Sequence, residues 1–184
     1  MVKIKPFDQQ NVALHYKWNN DEEVNYYSSE DSPQVESFNA FLRRVKTVLD
    51  ERNEKADLFE IHLSENDKLI GIVDIHDIDL HNRRCHVKCT IGDRKYAGQN
   101  YETAALRKIL AYCFKELGMH KVTTAAYDFD TTWIKEVQKL GFKKEGLLRD
   151  HAVKGETYCD KLIFGLLSEE YKQSQKSSEL RVAN

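Results

Sequence analysis

The sequence predicts a single α/β domain (α+β in its strand mixture), with a mixed, mostly antiparallel central sheet and helices on both faces. Three observations predict it. Apolar residues recur with period two through the first half, they switch to helical spacing after residue 100, and the later segments alternate strand, helix, strand, helix, strand. The length suits one domain: 184 residues, 41% of them hydrophobic, are enough for a real core without disulfides or metals.

Residues 2–7 alternate as a short strand closing at Pro6. Residues 11–16 and 37–49 have helical character, the second carrying Phe38, Phe41, Leu42, Val45, Val48 and Leu49 at helical spacing. Between them, Ser28–Ser32 and Pro33 mark a loop. Three strands follow over 58–63, 69–75 and 85–91. Asn66-Asp67 and then His81-Asn82-Arg83 separate them, which predicts an antiparallel meander.

Residues 101–117 form the clearest helix. Ala105, Leu106, Ile109, Leu110, Cys113, Phe114 and Leu117 make one stripe, and Gly118 stands at the C-cap position. Residues 121–126, with β-branched Val122, Thr123 and Thr124, predict a strand parallel to the one before that helix. Asp130 caps a helix over 131–140 that Gly141 closes. Strands over 142–147 and 158–167 complete the domain, 1–172, and the polar tail 173–184 is expected to fray.

Composition narrows the function. With 28 Lys+Arg against 30 Asp+Glu, the net charge of −2 offers no electrostatic case for nucleic-acid binding. Eight Gly and two Pro exclude linker-like and collagen-like chains. Four scattered cysteines, Cys85, Cys89, Cys113 and Cys159, make no disulfide framework. The start, MVKIKPFDQQN, has no secretory pattern, and no apolar run approaches the ~18 residues of a membrane span. A cytoplasmic protein with no membrane partner is expected. Cys85 and Cys89 on one strand lie about 13 Å apart at ~3.3 Å per residue, and His86 points the other way. Zinc ligands must converge within ~2.3 Å of one ion, so no metal site is expected.

The stretch Thr90-Ile91-Gly92-Asp93-Arg94-Lys95-Tyr96-Ala97-Gly98-Gln99-Asn100-Tyr101 runs from a strand into the best helix. Unpaired backbone N–H groups and the helix dipole make such a junction a phosphate site. Gly98 permits close backbone approach, and Asn100 tolerates left-handed angles. The Gly-Lys-Ser/Thr of a P-loop and the three glycines of a dinucleotide fold are both absent. A strand-to-helix turn without a ligand accounts for the same residues.

This loop resembles the pyrophosphate-binding loop of the GNAT superfamily of N-acetyltransferases, Arg/Gln-x-x-Gly-x-Gly/Ala, with Lys95, Gly98 and Asn100 at those positions. Leu117-Gly118-Met119-His120-Lys121-Val122, Asp130-Thr131-Thr132-Trp133-Ile134, Lys139-Leu140-Gly141-Phe142, Glu145-Gly146-Leu147-Leu148-Arg149 and Gly155-Glu156-Thr157-Tyr158-Cys159-Asp160 extend the similarity. So do Trp18 and the segment 21–24, and together they indicate the branch of ribosomal-protein alanine and spermidine acetyltransferases.

The resemblance implies acetyl transfer from acetyl-coenzyme A to a primary amine, with a protein N-terminal amine as the expected acceptor. The alternatives are a polyamine acceptor or a catalytically degenerate coenzyme-A-binding module. Thr90, Ile91, Lys95, Tyr96, Ala97, Gly98, Gln99, Asn100, Tyr101 and Asp130 would hold the coenzyme, whose amides extend the strand edge at 88–91. A protonated amine needs a proton acceptor. His86, two places after Arg84 where the branch often has glutamate, is the candidate base; Asp74, Glu60 and His76 are rivals. Val137 stands where the family often has a tyrosine acid, while Asn100 and Asp130 replace a glycine and an asparagine. Trp133, where a small residue is usual, is expected in the core.

From 18 to 42 the chain carries Asp21, Glu22, Glu23, Glu30, Asp31 and Glu36 and no basic residue. These acids are either a solvated surface or, if the chain is built as its relatives are, a cleft wall favouring a cationic acceptor. A homodimer is an allowed further partner state.

Overall fold

The computed structural model describes residues 1–28, 35–50 and 54–182. Its seven strands are β1 (Val2–Pro6), β2 (Asp57–Leu63), β3 (Leu69–Asp79), β4 (Arg84–Ile91), β5 (Lys121–Tyr127), β6 (Lys143–Lys154) and β7 (Thr157–Leu167). They form one sheet in the order β1-β2-β3-β4-β5-β7-β6. Every neighbouring pair is antiparallel except β4 and β5, which are parallel. The helices are α1 (Val12–Asn19), α2 (Glu22–Ser28), α3 (Phe38–Asp50), α4 (Tyr101–Ala111), α5 (Thr131–Lys139) and α6 (Ser168–Val182).

Period-two alternation sorts the side chains to two faces. Phe59, Ile61, Val73, Ile75, Cys85, Val87, Cys89 and Ile91 point to one, where Ala105, Leu106, Ile109 and Leu110 of α4 complete the main core. Leu58 and Ile72 point to the other and meet Tyr16 of α1 with Phe41 and Val45 of α3. The meander, the parallel strand after α4 and helices on both faces are as the sequence predicts. Among the described residues no helix is long and apolar enough to cross a membrane.

Three segments differ from expectation. The acidic stretch forms a helix, α2. Asp21 Oδ1 accepts the N–H groups of Glu23 and Val24 at 3.1 and 3.2 Å, a cap whose one buried anchor, Val24, is too little for a periodic signal. The expected loop at 28–33 lies outside the described residues apart from Ser28, the last residue of α2. The long helix stops being α-helical at Ala111 and continues as a π turn, Tyr112–Glu116, which keeps Cys113 in the core. The tail expected to fray is helical through Val182. Tyr171, buried and stacked on Phe114 at 4.8 Å, and the 2.5 Å ion pair of Glu170 with Lys143 anchor its first turns.

Candidate active site

Strands β4 and β5 pair only through Arg84↔Lys121, Cys85↔Val122 and His86↔Thr123. Beyond that, β4 stays with β3 as far as Gly71↔Ile91, and β5 stays with β7 as far as Tyr127↔Lys161. Each strand follows its other neighbour, so the sheet splits into a wedge. A cleft of about 800 Å³ occupies it, lined by residues 86–91 of β4, 124–127 of β5, the start of α4, and parts of α2 and α5. Strand edges opened this way can accept amide hydrogen bonds from an extended ligand.

At the mouth, Gly98 has φ +72° with nothing within 4 Å of where a Cβ would stand. Asn100 has φ 61° and caps α4 without a side-chain hydrogen bond. The first bond of the helix runs from Ala104 N–H to Asn100 C=O at 3.1 Å. The N–H groups of Tyr101, Glu102 and Thr103 therefore precede the intrahelical ladder at the positive end of the helix. Backbone N–H groups and a helix dipole in this arrangement favour an anion. A Cβ at Gly92 would meet the Trp18 ring at 2.0 Å, so glycine there lets α1 close over the end of β4.

Of the residues expected to hold the coenzyme, Thr90, Ile91, Ala97, Gly98, Asn100 and Asp130 line the cleft. Four do not. A short 3-10 turn, capped by Asp93, rotates Lys95 away and brings Arg94 to the wall instead. Tyr96 and Tyr101 pack edge-to-face at 5.9 Å against the core. The Gln99 side chain donates back to Lys95 C=O at 2.6 Å. Trp133, assigned to the core by sequence, packs there and also lines the cleft, its Nε1–H donating to Ala125 C=O at 3.2 Å on the opened edge of β5.

Two of the candidate bases stand elsewhere. Glu60 is 1% exposed, sealed beneath α1 with His15 Nε2 and His62 Nε2 each 2.9 Å from its carboxylate. Asn11 Nδ2 donates to it at 3.0 and 3.1 Å. Asp74 lies opposite Leu58 and Lys88 on β3, outside the cleft lining, where burial pushes its carboxyl up.

His86 lies at the vertex, on the last paired position of β4, and faces the cleft. The Thr123 hydroxyl donates its one proton to Cys85 C=O at 3.2 Å. It therefore accepts from His86 Nδ1–H at 3.1 Å, and Nε2 carries the lone pair of the neutral ring. His76 packs on the same ring at 4.7 Å.

The cleft carboxylates are tuned by burial. It pushes Glu102 up, and the charge of Asp130 adds to the rise. It also pushes Asp130 up, against the opposing effect of the Trp133 N–H that Asp130 accepts at 3.0 Å. Asp21 behaves oppositely: the Arg94 guanidinium hydrogen-bonded to it holds its carboxyl down. Glu23 joins the same guanidinium at 2.6 Å. Cys89 lines the cleft, but burial raises its thiol far above the usual range, so it offers no thiolate nucleophile. Among the described residues no group of three or more His, Cys, Asp or Glu could hold a metal.

A split parallel pair inside an otherwise antiparallel sheet, with a helix N-terminus at its mouth, offers an extended anionic ligand a strand edge and an anion site together. The sequence model of the acetyltransferase (GNAT) domain matches residues 2–143, and the chain belongs to that family. It is 32% identical over 117 residues to N-acetyltransferase p20 of Bacillus licheniformis, covering 64% of this chain and 65% of that relative. It is 28% identical over 131 residues to YdaF of Bacillus subtilis, provisionally named a ribosomal N-acetyltransferase, covering 70% and 71%. Spermidine N-acetyltransferase of Vibrio cholerae, solved with CoA and spermine, superposes with a TM-score of 0.83 at 18% identity over 92% of this chain and 97% of that one.

Arg94, Glu102, Tyr127 and Lys161 line the cleft without having been picked out by motif. Alternation along β5 and β7 is the signal that could have marked Tyr127 and Lys161. Nothing in the sequence distinguishes Arg94 from Lys95.

Proposed function

We propose that this protein transfers an acetyl group from acetyl-coenzyme A to a primary amine, with His86 as the proton acceptor. The observation that supports this most is the wedge itself: an opened strand edge leads from the α4 N-terminus to a histidine whose Nε2 carries the lone pair. The N–H groups around Gly98 and Asn100 and the start of α4 would hold the pyrophosphate, with Arg94 beside them. Bound there, acetyl-coenzyme A supplies an acetyl group already activated as a thioester, its thiol having a pKa of ~8.5. The wedge orients the amine, which is where most of the rate arises. His86 Nε2 takes the ammonium proton, directly or through water. Val137, at the family's tyrosine position, is fully buried in the core and donates nothing, so solvent protonates the departing sulfur.

The acceptor proposed first is a protein N-terminal amine, on the similarity to YdaF. A polyamine is the second reading, favoured by Glu22, Glu23, Tyr26 and Tyr27 of α2 along the cleft. The acidic wall is weaker than its charge count suggests. Asp21 and Glu23 share the single positive charge of Arg94, Glu36 pairs with Arg44 at 2.9 Å, and Glu30 and Asp31 lie outside the described residues. Thiol release from acetyl-coenzyme A tests the proposal against a panel of N-terminal peptides, spermidine and neutral amines. Release with peptides or spermidine supports transfer and identifies the acceptor class. Coenzyme binding without release from any amine would mean a binding module.

A further inference from the structure

Four aromatic rings from two parts of the chain meet beside the cleft. Tyr26 and Tyr27 of α2 lie 5.0 Å apart, and Phe129, just beyond β5, contacts them at 5.4 and 5.6 Å. Phe129 also stacks on Tyr127 at 5.6 Å with an interplanar angle of 11°. Tyr26, Tyr27 and Tyr127 line the cleft. Into this box reaches Lys154, the last residue of β6, its Nζ 4.8 Å from the Tyr127 centroid and 5.5 Å from that of Tyr26.

That ammonium has no carboxylate partner among the described residues. Burial lowers its pKa, so its placement costs hydration that the ring faces return. A long, flexible side chain beside a hairpin turn at Gly155 could reach water instead. The rings are therefore a site with affinity for an ammonium, and the chain fills it with its own.

We propose that the Tyr26–Tyr27–Tyr127–Phe129 box is the subsite for a cationic group of the acceptor remote from the reacting amine, and that Lys154 occupies it until an acceptor displaces it. Identifying the occupant as the acceptor rests on the acetyl transfer proposed above; the affinity of the box for an ammonium does not. Ring quadrupoles discriminate a cation from an uncharged molecule of the same shape, which a merely apolar pocket does not do. Lys154, being tethered, competes at high effective concentration and masks the box in the wild type.

The test titrates tetramethylammonium chloride, and tert-butanol as its uncharged isostere, into full-length protein with labelled tyrosine rings followed by NMR. Lys154→Ser, too short to reach the rings, is expected to bind tetramethylammonium about tenfold more tightly than wild type. Lys154→Arg should keep the wild-type affinity, and adding Tyr26→Leu to Lys154→Ser should remove the gain. The amide spectrum of each variant reports that the fold is retained. No gain in Lys154→Ser, or an equal gain for tert-butanol, overturns the proposal. Because the titration needs no turnover, a chain that releases no thiol can still show the box. Turnover without ammonium binding would remove the box and leave the transferase.

Discussion

Glu60 and the cleft pair Glu102 and Asp130 are all carboxyls withdrawn from water, yet they shift in opposite directions. Burial pushes Glu60 up, but hydrogen bonds from His15, His62 and Asn11 outweigh it and its carboxyl ends below the ordinary value. Burial also pushes Glu102 and Asp130 up, and there the rise stands. Neither has an ion-pair partner among the described residues. Depth alone does not decide ionisation; the number of donors facing the oxygens does. The sealed cluster, saturated with donors, ties α1 and the residues just before it to β2. The cleft carboxyls keep unmet electrostatic demand beside the place proposed for the coenzyme.

The largest effect expected from breaking this contrast is at Glu60. Glu60→Ala leaves His15, His62 and Asn11 donors buried without an acceptor and should cost about 3–5 kcal/mol in urea unfolding. Unchanged stability would show the cluster to be relaxed or hydrated. The pH dependence has a definite sign. A depressed native pKa stabilises the fold fully above the ordinary glutamate value of 4.5, and that stability is lost as pH falls through the lower native value. Glu60→Gln should remove this acid-side dependence.

His86 extends the comparison to a polar group at the cleft vertex, held by the Thr123 hydroxyl at its Nδ1. His86→Ala should lower kcat by about 10³-fold, within the usual range for a general base, and leave coenzyme affinity unchanged. Wild-type turnover at saturating amine would pass the role to water. Next comes Gly98→Asp, which adds a negative charge and a strained φ to a loop with open space around it. Calorimetry should show coenzyme A affinity reduced by about 10²-fold with thermal stability nearly retained, and unchanged affinity would sink the loop assignment.

The smallest effect sharpens the contrast most directly. Protonation of Asp130 removes a negative charge from the coenzyme end of the cleft, so coenzyme A affinity should rise as pH falls through its raised pKa. Asp130→Asn keeps a good N-cap and should bind coenzyme A about threefold more tightly at neutral pH, with a flatter pH profile. An unaltered profile by calorimetry would place the coenzyme away from Asp130.

Much of this architecture is legible because local chemistry dictates it. The strands of the meander and the apolar stripe of α4 follow from side-chain periods, and the cap at Asp130 follows from residue type. The left-handed backbone at Gly98 and Asn100 is visible for the same reason: few other residues adopt it cheaply. His86 could be named from its spacing to Arg84, although its tautomer depends on Thr123, 37 residues away.

What the sequence by itself determined is therefore the set of elements, their order, and the left-handed backbone of the strand-to-helix junction before α4. Tertiary structure alone decided where β4 and β5 part, because each strand's direction is set by a different neighbour. It also decided that Glu60 is sealed by His15, 45 residues away, and that Arg94 rather than Lys95 faces the cleft. The box around Lys154 assembles from α2, the end of β5 and the end of β6 in the same way. These outcomes depend on which distant groups share one volume, and period, spacing and residue type report only on neighbours along the chain.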